Sequence, residues 1–467
     1  MDLQKKEADY RKRIQLLFLI AAGGVLFPFV IVDGLFPGMG YYFAEKYMAV
    51  PCLLFFGSAL SQRLSPLAKK SVLLSAAVVL WFVITQLQHW LNGMNPRHFG
   101  IFAVVYLLAF PYAAVTEDGR ENVGLKWMGK IYVAFSLLLV ICGGMLLLDA
   151  VPGALASCIF WDGARAAMFW HPNGGGCVLM LGVGFSLYFL VRSEKKWKTY
   201  ILAALTVLQF CALVLTNSRT TILLTCAMVG GTVFFTMWKG SRKQFLAGMA
   251  AALTVMVALF LAYSGLFELH TERQIHKLVE QAEQQTQQQT AAVGGTNQSL
   301  RVDAQTGEVT LVGSNQSGQA ELSQDIKHFN GRFTIWRASL AALRENPSTR
   351  VWGTEYVSAE ISSRSGFPVV NAHNAWLQMG LLLGIPGLLA ALVYTAIAVW
   401  NAWTLVWRPN VDVSKKVVAM IVVCILAASV LETYLFAGEM PTSFVNFIFF
   451  LCTGYLIQWN SEVSQKK

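Results

Sequence analysis

Charge is what this sequence has least of. Lys, Arg, Asp and Glu make up 13% of its 467 residues, about half the roughly 25% of a soluble domain. Too few charges remain to cover a water-facing surface, which excludes an ordinary soluble globular protein. Acidic residues are the scarcer sign: 26 Asp and Glu stand against 36 Lys and Arg, a net charge of +10. In a soluble chain that surplus would suggest nucleic acid. In a chain this apolar it marks basic loops between membrane spans, so nucleic acid is not an expected partner. The eight cysteines show no metal or redox spacing. Cys52, Cys142, Cys177, Cys211, Cys226, Cys424 and Cys452 fall in apolar runs, where Cys behaves as a small hydrophobe, and Cys158 lies in a short loop. None lies in the one long polar segment, so no disulfide framework is expected there. There is no Asp-rich metal site, and neither metal nor cofactor is expected.

What the chain does have is apolar runs. It is 55% hydrophobic, with a mean hydropathy of +0.51, and each bilayer crossing needs ~20 residues. Spanning helices are expected at 14–32, 44–60, 71–88, 99–115, 130–150, 174–192, 199–216, 220–238, 244–266, 377–405, 416–435 and 441–459. The expected fold is an all-α polytopic membrane protein of about twelve transmembrane helices. The basic start (Lys5, Lys6, Arg11, Lys12, Arg13) runs into the first apolar segment with no Ala-x-Ala-type site at its end, and reads as a retained helix. Runs 199–216 and 220–238 are parted only by Asn217, Ser218 and Arg219, which predicts a tight hairpin with Arg219 at its tip.

Lys and Arg fall on alternate connections. With the N-terminus inside, inner connections carry Arg63, Lys69 and Lys70, then Arg120, Lys126 and Lys130, then Arg192, Lys195, Lys196 and Lys198, then Lys239, Arg242 and Lys243, then Arg408, Lys415 and Lys416, and finally Lys466 and Lys467. Outer short connections carry little beyond Arg97, Arg165 and Arg219. Both termini are therefore expected in the cytoplasm, the protein in the cytoplasmic (inner or plasma) membrane, and segment 267–372 outside. That divides the chain into helices one to nine (1–266), an extracytoplasmic loop (267–372) and helices ten to twelve (373–467). Within the loop, 280–319 is rich in Gln, Thr, Ser and Gly. It has too little apolar surface to order itself, and is expected to be flexible, with a weak hairpin over 301–312. From 323 to 346, Ile326, Phe329, Phe333, Trp336, Leu340 and Leu343 recur at spacings of three and four, one apolar stripe on a helix that Asn346-Pro347 ends. Such a basic amphipathic helix either lies in the membrane interface or packs on the outer face of the spans; the two are compatible.

Three residues on the outer side are candidates for chemistry: Arg219, Arg332 and His373. Singly, each has a plainer account. An arginine at a helix end snorkels to headgroups, an arginine on an amphipathic helix is solvated, and a histidine at a helix start is a structural residue. Their convergence on one membrane surface favours function. Glu45, Lys46 and Glu432 lie in or at the ends of apolar runs, where an unpaired charge costs ~3 kcal/mol or more. Each reads as partly exposed near a helix end, with Glu432 a secondary candidate for lining the site.

These residues resemble a family. Ser218-Arg219-Thr220-Thr221-Ile222-Leu223 resembles the Arg-x-x-x-Leu element of the O-antigen ligase family, which includes O-antigen polymerases and bacterial O-oligosaccharyltransferases. Gly331-Arg332-Phe333-Thr334-Ile335-Trp336 resembles its Arg-x-x-x-Trp element. His373-Asn374, nine residues, then Gly384-Ile385-Pro386-Gly387 resembles its His-Asn-x9-Gly-x-x-Gly motif. His171-Pro172-Asn173-Gly174 is similar to a further element before a span. Gly353-Thr354-Glu355 departs from the family's Gly-x-Gly, with Glu355 in the second glycine's place.

The resemblance implies a GT-C-like membrane glycosyltransferase that is metal-independent. It would pass a glycan from undecaprenyl diphosphate to an acceptor hydroxyl at the outer face of the cytoplasmic membrane. Arg219 and Arg332 would meet the diphosphate, since guanidinium binds phosphate with two parallel donors and keeps its charge. His373 would take the acceptor's proton or orient the diphosphate. Asn374, Trp336, Asn173 and Glu432 would line the substrate site. The expected partners are the lipid-linked donor, a glycan, lipid or protein acceptor, and the bilayer. Repeat-unit polymerase and O-oligosaccharyltransferase are the alternatives within the family. A lipid-linked-sugar transporter or flippase is the rival of another class, and tends to show repeats and a mid-bilayer site that this chain lacks.

Overall fold

The computed structural model describes residues 80–81, 83–92, 123–156, 159–162, 165–168, 172–292, 299–302, 309–312, 329–435 and 442–465. The expected spans at 14–32, 44–60 and 99–115, with Glu45 and Lys46, lie outside the described residues, as do residues 323–328 and His171. In chain order the elements are α1 (Val123–Leu147), β1 (Ile159–Asp162), β2 (Arg165–Met168), α2 (Pro172–Leu190), α3 (Lys196–Leu215), α4 (Arg219–Met237), α5 (Arg242–Ala292), β3 (Ser299–Val302), β4 (Val309–Val312), α6 (Phe329–Glu345), α7 (Pro347–Trp352), α8 (Val357–Ser365), α9 (Ala375–Val406), α10 (Val413–Leu431) and α11 (Thr442–Gln465). Among the described residues, seven helices are long and apolar enough to cross a membrane: α1 to α4, the first half of α5 to Leu266, α9 and α10. The protein is thus mostly helical and polytopic. To the helices the structure adds two small antiparallel hairpins, β1–β2 and β3–β4, the second overlapping the one expected at 301–312.

α2 forms the middle of the bundle. It is apolar all round, as a fully enclosed helix should be, and its buried side chains run from Pro172 to Tyr188. Small residues let its neighbours approach closely, the usual basis of helix packing in lipid. A Cβ on Gly182 would overlap Ser136 of α1, and one on Gly176 would come within 2.8 Å of Ser218 in the α3–α4 turn. The polar side chains this places inside satisfy one another. Gln209 donates to Ser136 Oγ (2.7 Å) and accepts from Ser186 (3.0 Å).

Two elements differ from expectation. The apolar span ends at Leu266 as expected, but its helix does not: α5 runs for 51 residues, through the Gln-rich run to Ala292. Gln, Glu, Lys and Ala are good helix formers, and extending a helix already nucleated in an apolar segment needs no new nucleus. The stripe on α6 is also rotated. Its inward face is Ile335, Ala338, Ala342 and Leu343, while Phe333 and Leu340 stay exposed.

The tenth span is broken rather than continuous. Gly384 within α9 has φ 71° and ψ −171°. A Cβ there would overlap the Val351 carbonyl, and one on Gly353 (φ 78°) would overlap Leu382 O, so two backbones touch at this point. The break frees carbonyls that a bilayer could not satisfy. Two of them are met: Thr354 N donates to Leu381 O (2.7 Å) and Trp81 Nε1 to Leu383 O (3.0 Å). Pro386, which lacks an N–H, sits in the first turn after the break, where no donor is needed. The buried Glu355 pins the same junction, accepting from Gln86 Nε2 (3.1 Å) and pairing with His89 Nδ1 (3.1 Å).

Candidate active site

Where α10 ends, the chain turns extended at Glu432 (φ −144°, ψ 160°), and this carboxylate becomes a meeting point. Its Oε1 accepts from Arg332 Nη2 at 2.5 Å and from Asn173 Nδ2 at 2.9 Å. Its Oε2 lies 3.2 Å from His373 Nδ1. The Glu432 side chain is 12% exposed and that of His373 33%, so the cluster has one shielded anion and one reachable imidazole. Charge-assisted bonds of this kind are about twice as strong as neutral ones.

Each partner is aimed by its own element. Arg332 and Trp336 are four residues apart on α6 and therefore share a face. Arg332 reaches Glu432, and Trp336 Nε1 donates to the His373 carbonyl at 3.3 Å. That spacing explains the Arg-x-x-x-Trp pattern physically: one turn of helix grips the carboxylate with its first residue and the histidine backbone with its last. His373 has φ 44°, a left-handed conformation uncommon for a side chain of this size. Its N–H is held by Asn371 Oδ1 (2.9 Å) and its carbonyl by Trp336, so both ends of the strained residue are fixed. Backbone strain of this sort persists only where the surroundings enforce it.

Asn374 follows as the N-cap of α9, accepting from Trp376 N (3.1 Å) and Leu377 N (3.0 Å). Its amide nitrogen donates to Val430 O (3.0 Å). Asn374, expected as a substrate contact, uses both ends of its amide on backbone and clamps α9 to the end of α10, beside the meeting of His373 and Glu432. Trp336 likewise holds the histidine.

Asn173 sits in the first turn of α2. Its Oδ1 accepts from Arg165 Nη2 (2.7 Å) and its carbonyl from Tyr434 (2.8 Å). Arg165, opposite Asp162 in the β1–β2 register, extends its Nε toward Thr216 O (3.4 Å). Thr216 and Asn217 (φ 46°) form the tight turn between α3 and α4, and Tyr263 holds Asn217 Oδ1 at 3.0 Å. Arg219 is the first residue of α4 beyond this turn. It is exposed and makes no hydrogen bond or ion pair with a described residue. The structure therefore brings Arg332, His373, Asn173 and Glu432 together, with Trp336 and Asn374 behind them. It leaves Arg219 beside the cluster, on the turn that Arg165 reaches through Thr216 O. Arg165 and Tyr434 are the residues that sequence reasoning missed. The one signal for Arg165 is that it stands with Arg97 and Arg219 among the few cations of the outer connections.

Among the described residues no three His, Cys, Asp or Glu side chains stand as a metal site would need. Glu432 is met instead by guanidinium, imidazole and amide. The arrangement has the parts for handling an anion next to a proton acceptor: fixed guanidinium charge, a half-exposed imidazole and a shielded carboxylate.

No curated protein matches the chain. Residues 204–392 match the family model described as O-antigen ligase. Arg219, Arg332 and His373 all fall inside that segment, over which the chain is similar to the O-antigen ligase family.

Proposed function

We propose that this protein moves a glycan from undecaprenyl diphosphate to an acceptor hydroxyl at the outer face of the cytoplasmic membrane, as an O-antigen ligase does. The observation that carries the reading is the convergence of Arg332, Asn173 and His373 on Glu432, beside the turn that presents Arg219. In the transfer the sugar–phosphate bond breaks and its electron pair stays on the diphosphate. Arg219 and Arg332 hold that growing charge in a preorganised setting, the kind of term that dominates many enzymatic rates. His373 takes the acceptor's proton, a role suited to an imidazole in reach of solvent. Segment 267–372 lies outside the cell in this reading, with α6 at the membrane surface. The exposed Phe333 and Leu340 support that placement, as does the Lys and Arg bias of the connections.

The test is glycan transfer by the purified full-length protein in detergent, with the lipid-linked glycan extracted from cells that lack the gene. Product without a sealed bilayer is expected, and no product would favour a transporter. In the deletion strain, unattached lipid-linked polymer should accumulate; single repeat units accumulating instead would make the protein a polymerase. The orientation is tested separately. A cysteine placed at Gln288 should react with an impermeant thiol reagent on spheroplasts, and one at Lys196 should not.

A further inference from the structure

Glu432 has a second use in this geometry, which rests on the reading of His373 as the base. Its two oxygens are divided. Oε1 is taken by Arg332 and Asn173, two groups that can only donate at those atoms. Oε2 is left for His373 Nδ1. A carboxylate accepts and does not donate, so the imidazole must carry its proton on Nδ1 to make this bond. The other ring nitrogen, Nε2, then holds a lone pair, and has no hydrogen-bond partner among the described residues. We propose that Glu432 is the positioning residue of His373. It fixes the imidazole in the Nδ1–H form, turns the basic Nε2 toward the acceptor hydroxyl, and balances the imidazolium that forms when the proton arrives.

The step balances without a further reactant. The acceptor oxygen bonds to the sugar carbon, and the bond from that carbon to the phosphate oxygen breaks. The acceptor proton moves to His373 Nε2, and the negative charge departs with the diphosphate between Arg219 and Arg332. Glu432 touches neither sugar nor phosphate. Serine-protease triads use a carboxylate on a histidine in the same physical way, but here the histidine serves a hydroxyl of the acceptor.

Glu432→Gln separates this role from a merely structural one, because it keeps the side chain's size. Arg332 and Asn173 would hold its single carbonyl oxygen, leaving the amide nitrogen to face His373. An amide N–H there demands an unprotonated Nδ1, which moves the proton to Nε2 and removes the base. Two measurements read this. The first is nitrogen NMR of histidine-labelled protein in lipid bilayers, with the His373 signal identified by its loss in His373→Gln. The His373 proton should sit on Nδ1 in the wild type and on Nε2 in Glu432→Gln.

The second is glycan transfer with the acceptor hydroxyl or with azide as nucleophile. Azide attacks the sugar carbon without giving up a proton, forming a carbon–nitrogen bond as the diphosphate leaves. Glu432→Gln and His373→Ala should each lose about 10²-fold or more with the hydroxyl and recover with azide, whereas Arg332→Lys should not recover. A Glu432→Gln protein that stays slow with azide while His373→Ala recovers would show that Glu432 serves Arg332 and the leaving group, overturning the proposal alone. Unchanged tautomer, or wild-type transfer by Glu432→Gln, would overturn it too. Failure of azide to rescue His373→Ala would instead bring down the reading of His373 as base, and the proposal with it.

Discussion

Among the described residues the same pair of residue types occurs twice, a glutamate facing a histidine Nδ1, in two different settings. At the break in α9, Glu355 meets His89 at 3.1 Å, and the two side chains are 8% and 3% exposed. At the end of α10, Glu432 meets His373 at 3.2 Å, and the histidine is 33% exposed. The inner pair shares its carboxylate with an amide, Gln86, and leaves His89 Nε2 buried with no partner among the described residues. The outer pair shares its carboxylate with a guanidinium. A histidine–carboxylate contact therefore carries no function by itself. A ring nitrogen in reach of solvent, with a guanidinium on the same carboxylate, marks the outer pair as the candidate site, and the burial of both side chains marks the inner pair as a joint.

The sharpest way to break that contrast is to remove the guanidinium. Arg332→Ala should lower transfer by about 10²–10³-fold, with melting of the detergent-solubilised protein little changed. Arg332→Lys should fall in the same direction, because lysine keeps the charge and loses the two-donor plane. Arg219→Ala and Arg219→Lys should behave alike. Near-wild-type rates for both lysine variants at matched expression would leave the arginines as headgroup anchors. Next in size is His373→Ala, which should lose most turnover while a lipid diphosphate still binds, as read by equilibrium binding of undecaprenyl diphosphate. Weakened binding there would assign the imidazole to the donor.

The inner pair should answer on a different axis. His89→Ala takes one partner from a buried carboxylate, a loss of about 1–3 kcal/mol, seen as earlier thermal unfolding. The rate per folded molecule should hold, and a rate deficit without instability would erase the distinction between the pairs. The smallest effect belongs to Arg337, exposed on α6 and five residues from the bond to Glu432. Arg337→Ala should leave both rate and melting unchanged.

Periodicity along the chain revealed most of the helices, because an apolar run long enough to span can be read without knowing its neighbours. The same held for the candidates His373, Arg332 and Arg219, each marked by local pattern. Glu432 was legible only as a charge at a helix end. Its centrality depends on partners 59, 100 and 259 residues away in sequence, and no local pattern encodes such pairings. The break in α9 was hidden for a related reason. The expected span 377–405 runs straight through Gly384 and Pro386, and only the opposing backbone at Val351 turns the glycine into a requirement. Glu355 shows the converse. As a departure from the family's Gly-x-Gly it pointed to an altered turn, and it is in fact the group that ties His89 and Gln86 to the joint.

The interruption at Gly384 also bears on the order in which the molecule can be assembled. Leu381 O is received by Thr354 N and Leu383 O by Trp81, so the groups that seal the opened helix come from chain made earlier. A segment released from synthesis N-terminus first would find this collar already present when residues 375–406 arrive. Until they dock, the bilayer favours the unbroken helix, in which every backbone group is satisfied within the segment. Docking then trades one hydrogen-bonded backbone for another and leaves the short arm after His373 in place for Glu432, which arrives later in the chain. The half of the span that follows His373 is in this sense folded by its predecessors.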